Sequence, residues 1–140
     1  MRTFTLYPRM GDSNMRFIES QVQSSLPNDF KDFLKANGGL SHYERFFTDT
    51  HQITWEVNKY LTFAELHKLL DEFLREYKRK LIPFAYDPGG WHFCLCMDEG
   101  KDHGAIIINR WTDHLPKEQF LKIADSFEEF INGLKAEETT

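Results

Sequence analysis

The stretch from Leu81 to Arg110 constrains the fold more than any other part of the chain. It contains three short apolar runs, which are separated by turns rich in Asp and Gly. Apolar runs of this length between such turns are typical of consecutive antiparallel strands. The stretch therefore predicts a three-stranded meander, with strands at residues 81–86, 91–97 and 105–109 and turns at residues 87–90 and 98–104.

The middle run of the meander is apolar on both of its faces. Side chains alternate along a strand, so Cys94 and Cys96 point to one face while Phe93, Leu95 and Met97 point to the other. A continuous apolar run between turns is typical of a fully buried strand. The pattern predicts a central strand that is covered on both sides, in an α+β fold with helices packed around an antiparallel sheet.

Four segments carry the capping and spacing signals of helices. The predicted helices span residues 14–23, 27–36, 62–79 and 126–134, with Ser13, Pro27, Thr62 and Ser126 at or near their starts. Asn37, Gly38 and Gly39 end the second helix, which should form a hairpin with the first. Basic residues crowd the end of the third helix, where they complement its dipole.

Weaker signals predict strands outside the meander. Ile53, Trp55 and Val57 alternate with polar residues, as in a half-buried strand. Residues 43–47 are another candidate strand, and residues 120–123 fit either a short strand or a helical turn. Residues 3–7 suit an edge strand.

Length and charge bound the organisation of the chain. Its 140 residues predict a single domain, with a core over residues 14–135 and loosely ordered segments at 1–12 and 136–140. The formal net charge of −5 arises in residues 71–140, which carry nine basic and fourteen acidic residues. This balance argues against direct binding of nucleic acid and suits a basic protein partner.

No apolar run approaches the roughly 18 residues of a membrane span, and the first residues lack an apolar segment of signal-peptide length. We therefore predict a cytoplasmic protein without a membrane partner. The two cysteines lie two residues apart on one strand, where a disulfide between them would distort the backbone. They are expected to be reduced thiols.

Two reactive sites are conceivable in the meander, and neither is favoured. His92, Cys94, Cys96 and His103 are zinc-ligand types, but residues two apart on a strand are too widely spaced for the common structural zinc sites. A mid-strand cysteine also lacks the helix N-terminus that would lower its pKa for nucleophilic attack. The sequence predicts no metal, no cofactor and no catalytic residue.

The turns of the meander and the loop after it are acidic. Their carboxylates are Asp87, Asp98, Glu99, Asp102 and Asp113. Asp residues in turns often accept local backbone hydrogen bonds, and paired carboxylates can also serve acid–base or metal chemistry. The remaining interpretation is an acidic rim that docks a basic protein.

Four segments of the chain carry a recognisable order of motifs: Leu26-Pro27-Asn28-Asp29-Phe30 with Phe33-Leu34 and Asn37-Gly38-Gly39, then Ile82-Pro83-Phe84-Ala85 with Gly89-Gly90 and the strand 91–97, then Gly104 with residues 105–109, and Ala124-Asp125-Ser126-Phe127-Glu128-Glu129-Phe130. In this order the four segments resemble the SUKH superfamily, which includes bacterial immunity proteins and fungal regulators of cell-wall synthesis. The resemblance covers residues 14–135. The sequence departs from the family pattern at Trp91-His92 and over residues 109–114. These differences affect the expectation of a binding surface shared with the family more than the expectation of a shared fold.

The resemblance implies a single α+β domain without catalytic residues, acting as an immunity protein that neutralises a cognate toxin, often a nuclease. A nuclease presents a basic groove, which an acidic protein can occlude. We predict that the turn carboxylates and two tryptophans contact this partner: Asp87, Trp91, Asp98, Glu99, Asp102, Trp111 and Asp113. The alternative is a regulatory or scaffold domain without a toxin partner. Whether the protein is a monomer or a homodimer stays open.

Overall fold

The structure is a computed structural model, and it describes residues 10–36, 44–111 and 118–136. Along the chain the elements are α1 (Asp12–Val22), α2 (Asn28–Ala36), β1 (Phe46–Thr48), β2 (Thr54–Glu56), β3 (Lys59–Tyr60), α3 (Phe63–Glu72), a π-helical turn (Phe73–Tyr77), β4 (Leu81–Tyr86), β5 (His92–Cys96), β6 (Ile106–Asn109), β7 (Phe120–Ala124) and α4 (Phe127–Asn132). In these residues no helix is both long and apolar enough to cross a membrane.

Among the described residues the main sheet has five strands in the order β3-β4-β5-β6-β7, and every neighbouring pair is antiparallel. The predicted meander is therefore confirmed as β4, β5 and β6, and β5 is the central strand. The segment at 120–123, which fitted a strand or a helical turn, is the edge strand β7. The α+β class follows from this sheet and the four helices around it.

The pairing of β4 with β5 contains a β-bulge at Phe84. Pro83 pairs with Cys94 and Ala85 pairs with Phe93, so Phe84 is the additional residue on β4. On its other side β4 pairs with β3 only at Ala85 and Tyr86. Pro83 thus lies beside a bulge and beyond the end of β3, where its missing amide hydrogen removes no hydrogen bond to that strand.

The two faces of β5 contact different clusters of apolar side chains, as its sequence predicted. Phe93, Leu95 and Met97 belong to the main core, which also contains the buried faces of α1, α2 and α4. Cys94 and Cys96 belong to a smaller cluster with Leu81, Ile107 and Phe73 of the π-helical turn. The central strand is therefore buried between helices on one side and the end of the third helical segment on the other.

The first helix begins earlier than the sequence signals indicated. Gly11 is the N-terminal cap, and its amide donates to Oδ1 of Asn14 at 2.9 Å, so Ser13 does not cap the helix. Helices α1 and α2 form the expected hairpin and run antiparallel to each other. Lys35 at the end of α2 pairs with Asp12 at the start of α1, with Nζ and Oδ1 2.8 Å apart.

The third helical segment begins as predicted but changes its hydrogen-bonding pattern. The Thr62 hydroxyl accepts from the Glu65 amide at 3.2 Å, and the Glu65 carboxylate accepts from the Thr62 amide at 2.9 Å. The α-helix ends at Glu72 and continues as the π-helical turn, which Lys78 ends in the left-handed conformation at φ 55°. Apolar periodicity did not reveal this change, because both conformations place Phe73 in the core.

The prediction that Ile53 lies on a half-buried strand is wrong. Ile53 is 48% exposed, because β2 begins at Thr54 and Ile53 belongs to the turn that joins β1 to β2. The buried carboxylate of Asp49 organises this turn. It accepts from the amide of Ile53 at 3.1 Å and from the indole nitrogen of Trp55 at 3.0 Å.

Several expectations lie outside the described residues: the edge strand at 3–7, the Asn37-Gly38-Gly39 helix end and the C-terminal tail from residue 137. Residues 10–12 were expected to be loosely ordered, but Met10 and Asp12 both make contacts with the rest of the domain. Met10 is buried, and its amide donates to the carbonyl of Leu34 at 3.2 Å.

Substitution of Gly133 by Ala should destabilise the protein, because α4 packs closely on the β1–β2 hairpin at this point. A Cβ at Gly133 would lie 2.9 Å from two ring carbons of Phe47, whose ring is buried and packs on Phe130. We expect the free energy of unfolding to fall by about 1–3 kcal/mol, as for overpacked cores. Urea unfolding followed by circular dichroism measures this change.

Gly89→Ala is the matched control, since the nearest atom to its Cβ would be 3.5 Å away. Its effect should stay within about 0.5 kcal/mol. Equal stability of the two variants would show that Phe47 adjusts without loss of packing.

Candidate partner-binding surface

The six described residues of the predicted docking surface form two groups at opposite ends of β5. One group contains Asp87, Trp91 and Trp111, and the other contains Asp98, Glu99 and Asp102. The five residues of β5 lie between the groups and keep them roughly 17 Å or more apart, at about 3.4 Å per residue. Asp113 lies outside the described residues.

In the first group, Asp87 builds the turn between β4 and β5. Its Oδ1 accepts from the amide of Gly89 at 2.9 Å and from the amide of Trp91 at 2.8 Å. Gly90 completes the turn in the left-handed region at φ 94°, which favours glycine. The Asp87 carboxylate is therefore half-buried in local hydrogen bonds, which is the alternative that the sequence had left open.

The two tryptophans of this group are half-buried and pack on opposite sides of the sheet. Trp91 lies against the main core, with its ring centroid 6.2 Å from that of Trp55. Trp111 packs on Phe73 of the smaller cluster at 5.6 Å. Each tryptophan therefore presents only part of its ring to a partner.

A hydrogen-bond clamp fixes Trp111 against the β4–β5 turn. Its indole nitrogen donates to the carbonyl of Gly90 at 3.2 Å and to Nδ1 of His92 at 3.1 Å. Burial lowers the pKa of His92, and the neutral ring has the free lone pair that this contact needs. Trp111 itself adopts φ 54°, which is uncommon for a residue other than glycine.

In the second group, Asp98 ties the β5–β6 turn to the segment that follows the π-helical turn. Its Oδ2 accepts from Nε of Arg79 at 2.5 Å, and its Oδ1 accepts from the amide of Lys80 at 2.7 Å. Burial opposes ionisation of Asp98, but the Lys80 amide and the Arg79 guanidinium outweigh it and hold its pKa below the usual range. Asp98 is thus a structural anchor as well as a predicted contact.

Glu99 and Asp102 are the remaining carboxylates of this turn. Glu99 is exposed, and Asp102 is half-buried with its Oδ1 3.5 Å from Nζ of Lys122 on β7. With Arg79 and Asp98 they line a shallow cleft of about 380 Å³. A partner cation approaching this turn meets one exposed carboxylate and two carboxylates that already have cationic neighbours.

The cysteines and histidines of the meander do not converge on one point. Burial raises the pKa of both Cys94 and Cys96, which keeps the thiols protonated. His92 lies at one end of β5, while Nδ1 of His103 contacts the carbonyl of Asp98 at the other end, at 3.1 Å. Across residues 10–36, 44–111 and 118–136, no group of three or more His, Cys, Asp or Glu side chains is placed to hold a metal ion.

A second acidic surface, which the sequence did not predict, lies in a cleft between α2 and α4. Its lining residues are Asp29, Asp32, Phe33, Phe127, Glu128, Ile131 and Asn132. The only sequence signal is the helical spacing that places Asp29, Asp32 and Phe33 on one face of α2. Nothing in the sequence pairs this face with α4, which follows almost one hundred residues later.

Asp98→Asn should destabilise the protein at neutral pH, because it removes the charge that holds Arg79. The folded pKa of Asp98 lies below its ordinary value of 3.8, so its contribution is complete above pH 3.8 and is lost as pH falls through the folded pKa. We expect the free energy of unfolding at pH 7 to fall by about 1–2 kcal/mol, which is the size expected for a charged hydrogen bond that is partly exposed to solvent. The difference from the unmodified protein should shrink below pH 3.8.

Urea unfolding between pH 3 and pH 7 measures this dependence, and Glu99→Gln in the same turn is the control. An Asp98→Asn penalty that stays constant over the whole range would contradict the ionic tie to Arg79.

Both thiols should be slow to react in the native protein, because each is buried and its pKa is raised. A chromogenic disulfide reagent at pH 7 should modify them at least roughly a hundredfold more slowly than in urea, since the thiolate is the reactive form. Rapid native labelling of either cysteine would contradict the burial and reopen a thiol mechanism.

Comparison with known proteins agrees with the geometry of the whole domain. The family model described as SMI1-KNR4 cell-wall, SUKH_6, matches residues 12–131, from the start of α1 into α4. The chain is also 28% identical to the SPbeta prophage-derived uncharacterized protein YokK of Bacillus subtilis (strain 168), in an alignment that covers 96% of this chain and 82% of that protein. This chain therefore belongs to the SUKH superfamily.

Proposed function

We propose that this protein is an immunity protein, which binds a cognate toxin and neutralises it by occlusion rather than by catalysis. The observation that carries the proposal is the family match, which spans the sheet and the helices that cover it. The similar protein of Bacillus subtilis is described as prophage-derived and uncharacterized. Immunity proteins of this superfamily are expected to act by binding.

The charge of the chain favours a basic partner, such as the active-site groove of a nuclease. Its net charge of −5 steers a cationic protein toward it and repels nucleic acid. Such a groove binds phosphates, so carboxylates placed in it compete with the substrate. The two groups of residues at the ends of β5 remain predicted contacts, and Glu99 is the most exposed carboxylate among them.

The chemistry of the described residues supports a binding role. The thiols are buried and protonated. Oδ1 of Asp87 accepts from two backbone amides, and both carboxylate oxygens of Asp98 accept hydrogen bonds, from the Lys80 amide and from Arg79. Nucleophilic catalysis needs an exposed side chain that a neighbouring base activates. These side chains instead hold turns and fill the core.

A regulatory or scaffold domain is the second candidate, because the matching family is described as cell-wall. Such a domain would bind several proteins of one pathway rather than one toxin. The two functions therefore differ in the number of partners and in the effect of binding on the partner's activity.

Affinity capture separates the two functions. The protein, immobilised through its C-terminus, should retain from lysate of its own organism one basic polypeptide whose nuclease activity falls when the free protein is added. The matched control is a column carrying the Gly133→Ala variant after thermal unfolding, which reports non-specific retention. Capture of several pathway proteins without loss of any enzymatic activity would favour the scaffold role and contradict the immunity role.

A further inference from the structure

The cleft between α2 and α4 has an apolar floor that is already formed. The rings of Phe33 and Phe127 meet edge to face with centroids 5.1 Å apart, and Phe30 contacts Phe127 in the same manner at 5.0 Å. Both floor residues are almost fully buried, while Ile131 is half-buried on the α4 wall. The cleft encloses about 370 Å³, which is near the lower end of typical binding pockets.

The rim of this cleft is acidic on both sides. Asp29 and Asp32 stand on α2, and Glu128 stands on α4. Asp32 and Glu128 are exposed, and within the described residues no salt bridge joins either of them to a cation. None of the described residues that line the cleft is basic.

Helix α2 separates its charges between two faces, and no basic residue in the described part of the chain lines the cleft. Lys31 pairs with Glu19 at 4.0 Å, and Lys35 pairs with Asp12 at 2.8 Å, so both lysines turn toward α1. The acidic residues of α2 turn toward α4, whose sequence contains no basic residue. Among the described residues, the cleft therefore combines buried aromatic surface with a negative rim that no salt bridge neutralises. Lys35 interacts electrostatically with Asp32 but pairs with Asp12.

We infer that this cleft docks a basic segment of a protein partner, with one apolar side chain against Phe33 and Phe127 and flanking Lys or Arg side chains paired with Asp32 and Glu128. The rim repels nucleic acid and acidic peptides, and the apolar floor gives a free metal ion no ligand. The identity of the partner as a toxin rests on the proposed function, whereas the chemistry of the segment follows from the cleft alone.

A synthetic peptide tests the cleft independently of any toxin. The probe is a short, end-blocked peptide with two central leucines flanked by lysines. The control peptide has the same leucines and carries glutamates in place of the lysines. Titrated into the ¹⁵N-labelled full chain at low salt, the lysine peptide should shift backbone amides of residues 28–33 and 127–132. The glutamate peptide should leave these amides unchanged, and added salt should weaken binding of the lysine peptide.

Two double variants test which carboxylates contribute to binding of the lysine peptide. The Asp32→Asn, Glu128→Gln double variant should weaken binding of the lysine peptide roughly five- to tenfold at low salt, as for two solvent-exposed ion pairs. Glu99→Gln, Asp102→Asn is the matched control, because it removes two carboxylates from the other acidic surface. Urea unfolding of both variants confirms that each chain is folded.

Two outcomes would overturn the inference. One is a set of shifts confined to residues 98–104, with loss of binding only in the Glu99 and Asp102 variant. The other is a peptide that causes no shift at α2 and α4 even at low salt. Failure of the proposed function looks different, because the peptide would still bind the cleft while no toxin is captured or inhibited.

Discussion

Edge-to-face contacts between phenylalanines hold α2 and α4 on the main sheet, and the rest of the domain depends on this arrangement. Phe84, the additional residue at the β4 bulge, meets Phe30 at 5.8 Å, Phe127 at 5.5 Å and Phe130 at 5.8 Å. Each such pair contributes about 0.5–1.5 kcal/mol beyond the burial of its area. At the bulge, Phe84 therefore contacts both helices. Phe127, which belongs to the same network of rings, also forms part of the floor of the cleft between the helices.

Carboxylates serve this fold mainly as acceptors for turns. Asp49 organises the β1–β2 turn, Asp87 the β4–β5 turn, and Asp98 the junction of the β5–β6 turn with the π-helical turn. In each case a carboxylate oxygen accepts from backbone amides that the turn leaves unpaired in the sheet. The number of acidic residues near the meander therefore overstates the number of carboxylate oxygen atoms that are free to bind a partner.

Sequence patterns predicted the elements whose signals are local. The meander followed from apolar runs between turns, and the start of α3 followed from the hydrogen bonds that Thr62 and Glu65 exchange. The bulge at Phe84 and the π-helical turn have no local sequence signal, since apolar periodicity is the same with or without them. The exposure of Ile53 was missed because apolar alternation does not show that the Asp49 carboxylate holds this residue in a turn. The same limit applies to the binding surface. Adjacent turns looked like one patch in sequence, whereas β5 holds them apart.

The pairing of charges, rather than their number, distinguishes the two acidic surfaces. At the meander, Asp98 already pairs with Arg79 and Asp102 with Lys122, so a partner cation must displace or share an existing ion pair. Within the described residues no salt bridge joins Asp32 or Glu128 to a cation, and the nearby Lys35, which Asp32 attracts at longer range, pairs with Asp12. A partner cation at this rim therefore has no salt bridge to displace. Exposed ion pairs contribute little on their own. The buried rings beneath the α2–α4 rim add apolar contact to those charges, and this combination is what a specific protein interface requires.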